Sequence, residues 1–211
     1  GFLSVKIDQG NVQPVLISFN TTVRRGGEFG QTIPGFLQSN TRASPSTGNN
    51  QVQHLVGLND NDERLAYFGY SNPADSPVTY TLRFFDNLGN AVGTGETLTL
   101  GRLSAKQFQS KEIRTRFGVT EKDDYRVVVE TPRNAQLFPY GANVRIGSAD
   151  PSFLTVGTGT GRTYLLGALS TPGTTKSTWR SDLVLANTGN QVVIADISFT
   201  NVGATSQSTD V

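Results

Sequence analysis

The chain has 211 residues, enough to bury a full core in one or two domains. Eighteen Lys and Arg against 17 Asp and Glu leave a formal charge of +1, so electrostatics make no case for nucleic acid or an anionic membrane as partner. With no cysteine and a single histidine there are no disulfides and no His/Cys zinc shell, and no apolar run approaches the roughly 18 residues a membrane-spanning helix needs.

In chain order, residues 1–35 carry two apolar runs. Phe2 to Ile7 alternates, placing Val5 and Ile7 on one face, and Val12 to Phe19 follows with Leu16 inside it. Residues 36–53 are polar and without period, with Pro45 and Gly48, and read as a linker or long loop. A complete unit is expected over 54–156, with strands at 54–58, 64–71, 77–86, 90–100 (broken near Gly95), 105–109, 124–131 and 135–146. Ser110 to Phe117 predicts a turn of helix, N-capped by Ser110 with Glu112 close behind and stopped by Gly118. Residues 157–162 form a Gly/Thr joint, and 163–211 begin another unit. Twenty-three Gly and nine Pro suit the many turns of an all-β protein, and seven short strands point to an antiparallel β-sandwich, immunoglobulin-like in the broad sense. The chain opens on Gly1 with neither initiator Met nor signal peptide, so it is expected to be a processed or excised piece.

The most informative pattern is an internal repeat. Asp62 to Asn87 and Thr178 to Asn201 align without a gap at an offset of 115, anchored on Asn72 and Asn187. Phe68 then meets Leu183, Tyr70 meets Leu185, Val78 meets Val193, Leu82 meets Ile197 and Phe84 meets Phe199. Both copies read strand, turn, strand, and the even-numbered residues of the first, with their partners 115 later, are expected to face a core. The N-terminal piece matches the last third of the central unit: Val5 lies 122 before Val127, and Asn20 lies 123 before Asn143. The expected organisation is the tail of one unit (1–35), one whole unit and the head of a third (163–211).

The run Pro172-Gly173 … Thr178-Trp179-Arg180-Ser181-Asp182-Leu183 … Asn187 resembles a tandem β-sandwich repeat of large secreted and surface proteins of bacteria. Gly30-Gln31-Thr32-Ile33-Pro34 resembles the segment that ends such units. The central copy departs from that pattern, with Arg64 in place of Trp179 and Tyr67 in place of Asp182. The resemblance implies a structural or adhesive module at a bacterial cell surface or outside the cell, with no catalytic residues.

Little in the chain suggests chemistry. His54 has no nucleophile elbow to serve. Gly157 to Arg162 lacks the Lys-(Ser/Thr) ending of a phosphate loop. Glu121 to Asp124 reads as a charged turn, and Asn20-Thr21-Thr22 is a formal glycosylation sequon. Asp60, Asp62 and Glu63 are the candidate calcium ligands, weighed against a solvated acidic turn. Tyr67 and Tyr70, with Tyr80, Phe84 and Phe85, form a candidate sugar-stacking platform, weighed against core packing. Two function classes remain. One is a non-catalytic structural module whose complementary ends, carrying Val5, Ile7, Leu16 and Phe19 on one side and Leu183, Leu185, Ile197 and Phe199 on the other, complete one another, within or between copies. The other is a polysaccharide- or ligand-binding accessory module.

Overall fold

Alternating burial organises the centre of the chain. The structure is a computed structural model that describes residues 17–24, 27–34, 50–120, 122–156, 170–172, 178–180, 183–189, 191–199 and 207–210. Its central strands are β3 (Asn50–Asp60), β4 (Arg64–Asn72), β5 (Val78–Phe85), β6 (Glu96–Leu100), β7 (Ser104–Gln109), β8 (Lys122–Pro132), β9 (Phe138–Arg145) and β10 (Pro151–Thr155). Between β7 and β8 lies a helix, α1 (Ser110–Phe117). Before them comes the hairpin β1 (Ile17–Arg24) and β2 (Gly27–Pro34). After them come β11 (Ser170–Pro172), β12 (Thr178–Arg180), β13 (Asp196–Phe199) and β14 (Gln207–Asp210). The fold is all-β, with two four-stranded antiparallel sheets ordered β3-β8-β5-β6 and β10-β9-β4-β7.

The even-numbered residues of β4 and β5 do face the core between these sheets. Ala66, Phe68, Tyr70, Val78, Tyr80, Leu82 and Phe84 are all buried. Phe68, Phe84, Phe108 and Phe117 form a tilted ring cluster, with Phe68–Phe108 and Phe108–Phe117 centroids each 5.0 Å apart and Phe84–Phe117 at 4.9 Å. Helix α1 closes one side of this core with Ile113 and Phe117. Gly118 ends it in the left-handed region, as the sequence predicts, its N–H donating to the Arg114 carbonyl at 3.1 Å.

Several boundaries differ from the sequence reading: β10 is not among the expected strands, β9 is shorter than the strand read over 135–146, and three further differences have a local cause. The first central strand begins at Asn50, inside the segment expected to be linker, because Gln51 and Gln53 turn inward despite their polarity. The Gln51 side chain donates to the Ala135 carbonyl at 2.5 Å, which supplies the partner a buried amide requires. The strand expected over 90–100 shrinks to β6 plus a single bridge between Phe85 and Ala91. Gly93 sits there at φ +65, where an added Cβ would fall 2.2 Å from the Phe117 carbonyl oxygen. The helix is capped by Gln109 without a side-chain bond, and the Ser110 hydroxyl is used elsewhere.

Several local features recur along the chain. Asn72 accepts a bond from the Ala74 N–H at 3.0 Å and donates to the Ser76 carbonyl at 2.8 Å. Asn187 accepts from the Gly189 N–H at 3.0 Å and donates to the Gln191 carbonyl at 2.8 Å, each partner 115 residues further on. The Val92 N–H donates to the Phe84 carbonyl, and 115 residues later Gln207 pairs with Phe199. A shift of 122 maps the register of one hairpin onto another: Thr22↔Phe29 falls on Val144↔Pro151, and Ser18↔Ile33 on Tyr140↔Thr155.

Elsewhere the likeness stops. Ser170 pairs with Arg180, whereas their equivalents Leu55 and Leu65 lie in different sheets. The described residues 183–189 and 191–195 form no strand, unlike their equivalents in β4 and β5. The reason is physical: β4 and β5 are each held between two neighbours, and a segment with no ladder partner among the described residues has nothing to keep it extended.

Candidate functional site

The acidic turn after β3 does not assemble the three calcium candidates. The Asp60 side chain points inward and is fully buried, while Asp62 and Glu63 are exposed. The Asp60 carboxylate accepts from the Ser110 hydroxyl at 2.6 Å and from the Arg114 guanidinium at 2.7 and 3.2 Å. It is thus the acceptor that ties helix α1 to the end of β3. Asn61 shapes the turn itself, its side-chain oxygen accepting from the Glu63 and Arg64 N–H groups at 2.9 and 2.8 Å. Among the described residues no group of three or more His, Cys, Asp or Glu is placed to hold a metal ion.

A polar cluster adjoins it, and sequence reasoning missed it. Gly57, at φ +80, lies in the register shift between Leu55 and Leu58, the signature of a β-bulge. The carbonyl of Gly57 accepts from Asn143 at 2.7 Å and from the Asn59 side chain at 3.1 Å. The Asn59 N–H in turn donates to Asn143 at 2.9 Å. A Gly-x-Asn at a strand end is the local sign of such a bulge; its partners lie more than 60 residues away and leave no local sign.

The aromatic platform is divided between two faces. Tyr70 is a core residue, so it cannot stack on a ligand from solvent. Its hydroxyl meets that of Tyr80, which donates to it. Burial pushes the Tyr80 hydroxyl up to about 12 and raises that of Tyr70 as well, so both stay protonated at neutral pH and neither serves as a base. Tyr80 and Phe84 are likewise buried, whereas Tyr67 and Phe85 are half-buried. Tyr67 lies on the other face of β4. On that face, which sequence reasoning also missed, Tyr140 lies across Gly69 and donates to Gln107 at 3.1 Å.

His54 has its Nδ1 buried without a hydrogen-bond partner, and its pKa is lowered from 6.5 by burial first and the nearby Arg126 charge second. A base with a lowered folded-state pKa takes up its proton more readily when unfolded, so stability falls as pH drops through 6.5 toward the lower folded value. Urea midpoints measured between about pH 5.5 and 7.5 are expected to decline on the acid side, and His54→Gln to flatten that slope. An unchanged slope in the variant would assign it to other groups.

The residues expected to join units divide as follows. Val5, Ile7 and Leu16 lie outside the described residues. Phe19 stands in β1 at 74% exposure, flanked by Ile17 at 56% and Val23 at 81%. Leu183 and Leu185 are 53% and 56% exposed, Ile197 is half-buried, and Phe199 pairs with Gln207 in the β13–β14 hairpin. Within the single chain, then, Leu183, Leu185 and Val193 are not covered as their counterparts in the first copy are. The physical cause is the missing partner: no second sheet covers them among the described residues. Val184 instead lies over Gly57, and Arg126 donates to the Asn187 carbonyl at 3.2 Å, which rests this segment on the flank of the sandwich.

No protein-family model matches the chain, and no curated protein does. A solved structure, the crystal structure of Thermotoga maritima 1070, is similar over 54% of this chain and 96% of its own length, at 12% identity and a TM-score of 0.40. A likeness at that level carries no argument about function. No helix among the described residues is long and apolar enough to cross a membrane.

Proposed function

We propose that the chain is a non-catalytic structural module of an assembly at a bacterial cell surface or outside the cell, in which β-sandwich units are completed by strands of a neighbouring copy. One observation carries this reading. Positions 115 apart share the same asparagine turn yet have opposite burial: Phe68, Tyr70 and Val78 are 1%, 0% and 6% exposed, and Leu183, Leu185 and Val193 are 53%, 56% and 64% exposed. Apolar side chains that alternate for a core, without one over them, favour association. Placement outside the cell follows from the sequence resemblance alone.

The test is the native mass and shape of the purified chain. Light scattering is expected to give a mass above the monomer that rises with concentration, with elongated particles by electron microscopy. Leu183→Asp with Leu185→Asp should return it to the monomer while the central sandwich stays folded. A monomer at all concentrations, before any substitution, overturns the proposal.

A further inference from the structure

The recurrences described above specify which strands meet and in what register. We infer that residues 183–185 of one copy pair antiparallel with β1 of a second copy, with Leu183 opposite Phe19 and Leu185 opposite Ile17. This rests on the proposed self-completion and adds its geometry.

The derivation uses only the central unit and the two offsets. In that unit β4 pairs with β9 so that Phe68 faces Gly141, Tyr70 faces Pro139 and Arg64 faces Arg145. The turn bonds of Asn72 and Asn187 place the β4 equivalents 115 residues later. With one shift taken for both of its strands, the hairpin register places the β9 equivalents 122 residues earlier, in β1, one residue from the Asn20–Asn143 match at 123. Carrying the β4–β9 register across both shifts sets Leu183 against Phe19 and Leu185 against Ile17.

The 115 shift already matched Leu183 and Leu185 to core positions; the exposed apolar partners in β1 come from the hairpin register. The pairing places the apolar Ile17, Phe19, Val23, Leu183 and Leu185, each 53% or more exposed, on one face, because cross-strand partners share a face and side chains alternate along each strand. The opposite face receives Val184 against Ser18. A slip of one residue would exchange the faces and strand the apolar set in water. The occupant is therefore a second copy of this chain, adding a strand by backbone pairing, with side chains fixing the register.

The chain has no cysteine, so introduced thiols report without background. Phe19→Cys and Leu183→Cys variants, prepared separately, would be mixed under mild oxidation. A mixed disulfide dimer is expected in about tenfold excess over that from Ser18→Cys with Leu183→Cys, because a one-residue slip points the thiols to opposite faces. Ile17→Cys with Leu185→Cys should behave as the matched pair does. A single chain carrying both Phe19→Cys and Leu183→Cys should give a ladder of oligomers. If that double variant closes on itself as a monomer, the partner is the same copy and the inference fails. If the native chain assembles but the slipped pair cross-links as well as the matched one, the register is wrong while self-completion stands. If the native chain is monomeric, both fall.

Discussion

Replacing Phe68 by alanine is expected to destabilise the sandwich by about 3–5 kcal/mol, the range for deleting a fully buried aromatic side chain. Phe68 is 1% exposed, and its ring lies 5.0 to 6.5 Å from those of Phe108, Phe84, Phe117 and Tyr70. That network is closed on every side, so the cavity cannot collapse cheaply. A small domain has only about 5–15 kcal/mol in hand, which makes the loss a large shift of the urea midpoint. Near-ultraviolet dichroism of the buried tyrosines Tyr70, Tyr80 and Tyr125 is the suitable probe, since Trp179 lies in β12 outside the central sandwich. The same truncation at the equivalent position, Leu183→Ala, should change the unfolding free energy of the sandwich by no more than about 0.5 kcal/mol, as for an exposed residue. Equal losses at the two positions would mean that Leu183 belongs to the same core.

Arg114→Met is expected to cost about 3–5 kcal/mol, because it leaves the buried Asp60 carboxylate without its counter-charge. Asp60 is fully buried, and the guanidinium holds it with two hydrogen bonds, leaving only the Ser110 hydroxyl and a long contact from the Ala66 N–H at 3.5 Å. Methionine preserves much of the Arg114 stem volume, so the loss reports the orphaned charge rather than packing. Adding Asp60→Asn to Arg114→Met removes that charge and should recover part of the stability. A loss below about 1 kcal/mol, as for an exposed ion pair, would show that water already reaches Asp60. The bidentate Glu96–Arg116 pair, with both side chains about a third exposed, is the natural control, and Arg116→Met should cost much less.

Between sequence and structure, the legible parts were those written in local periods. Ala66, Phe68 and Tyr70 alternate in β4, and Val78 to Phe84 in β5, so their strands and inward faces could be read directly. The helix was legible from Gly118, which alone among its neighbours takes the left-handed conformation cheaply. Gln51 and Gln53 were misread because polarity argues for a loop, and only their tertiary placement turns them inward. The role of Asp60 was misread for a similar reason: its neighbours in sequence are acids, and its partners in space are Ser110 and Arg114, 50 and 54 residues away.

The repeat at 115 and the all-β class with its inward residues were determined by the order of side chains alone, because a period of two projects directly onto one face of a strand. Which strands became neighbours, that Tyr70 is core and Leu183 is not, and that Asp60 serves a helix rather than an ion were decided only by tertiary structure. Burial and pairing depend on what lies across the gap, and a local pattern states which face is apolar without stating what covers it.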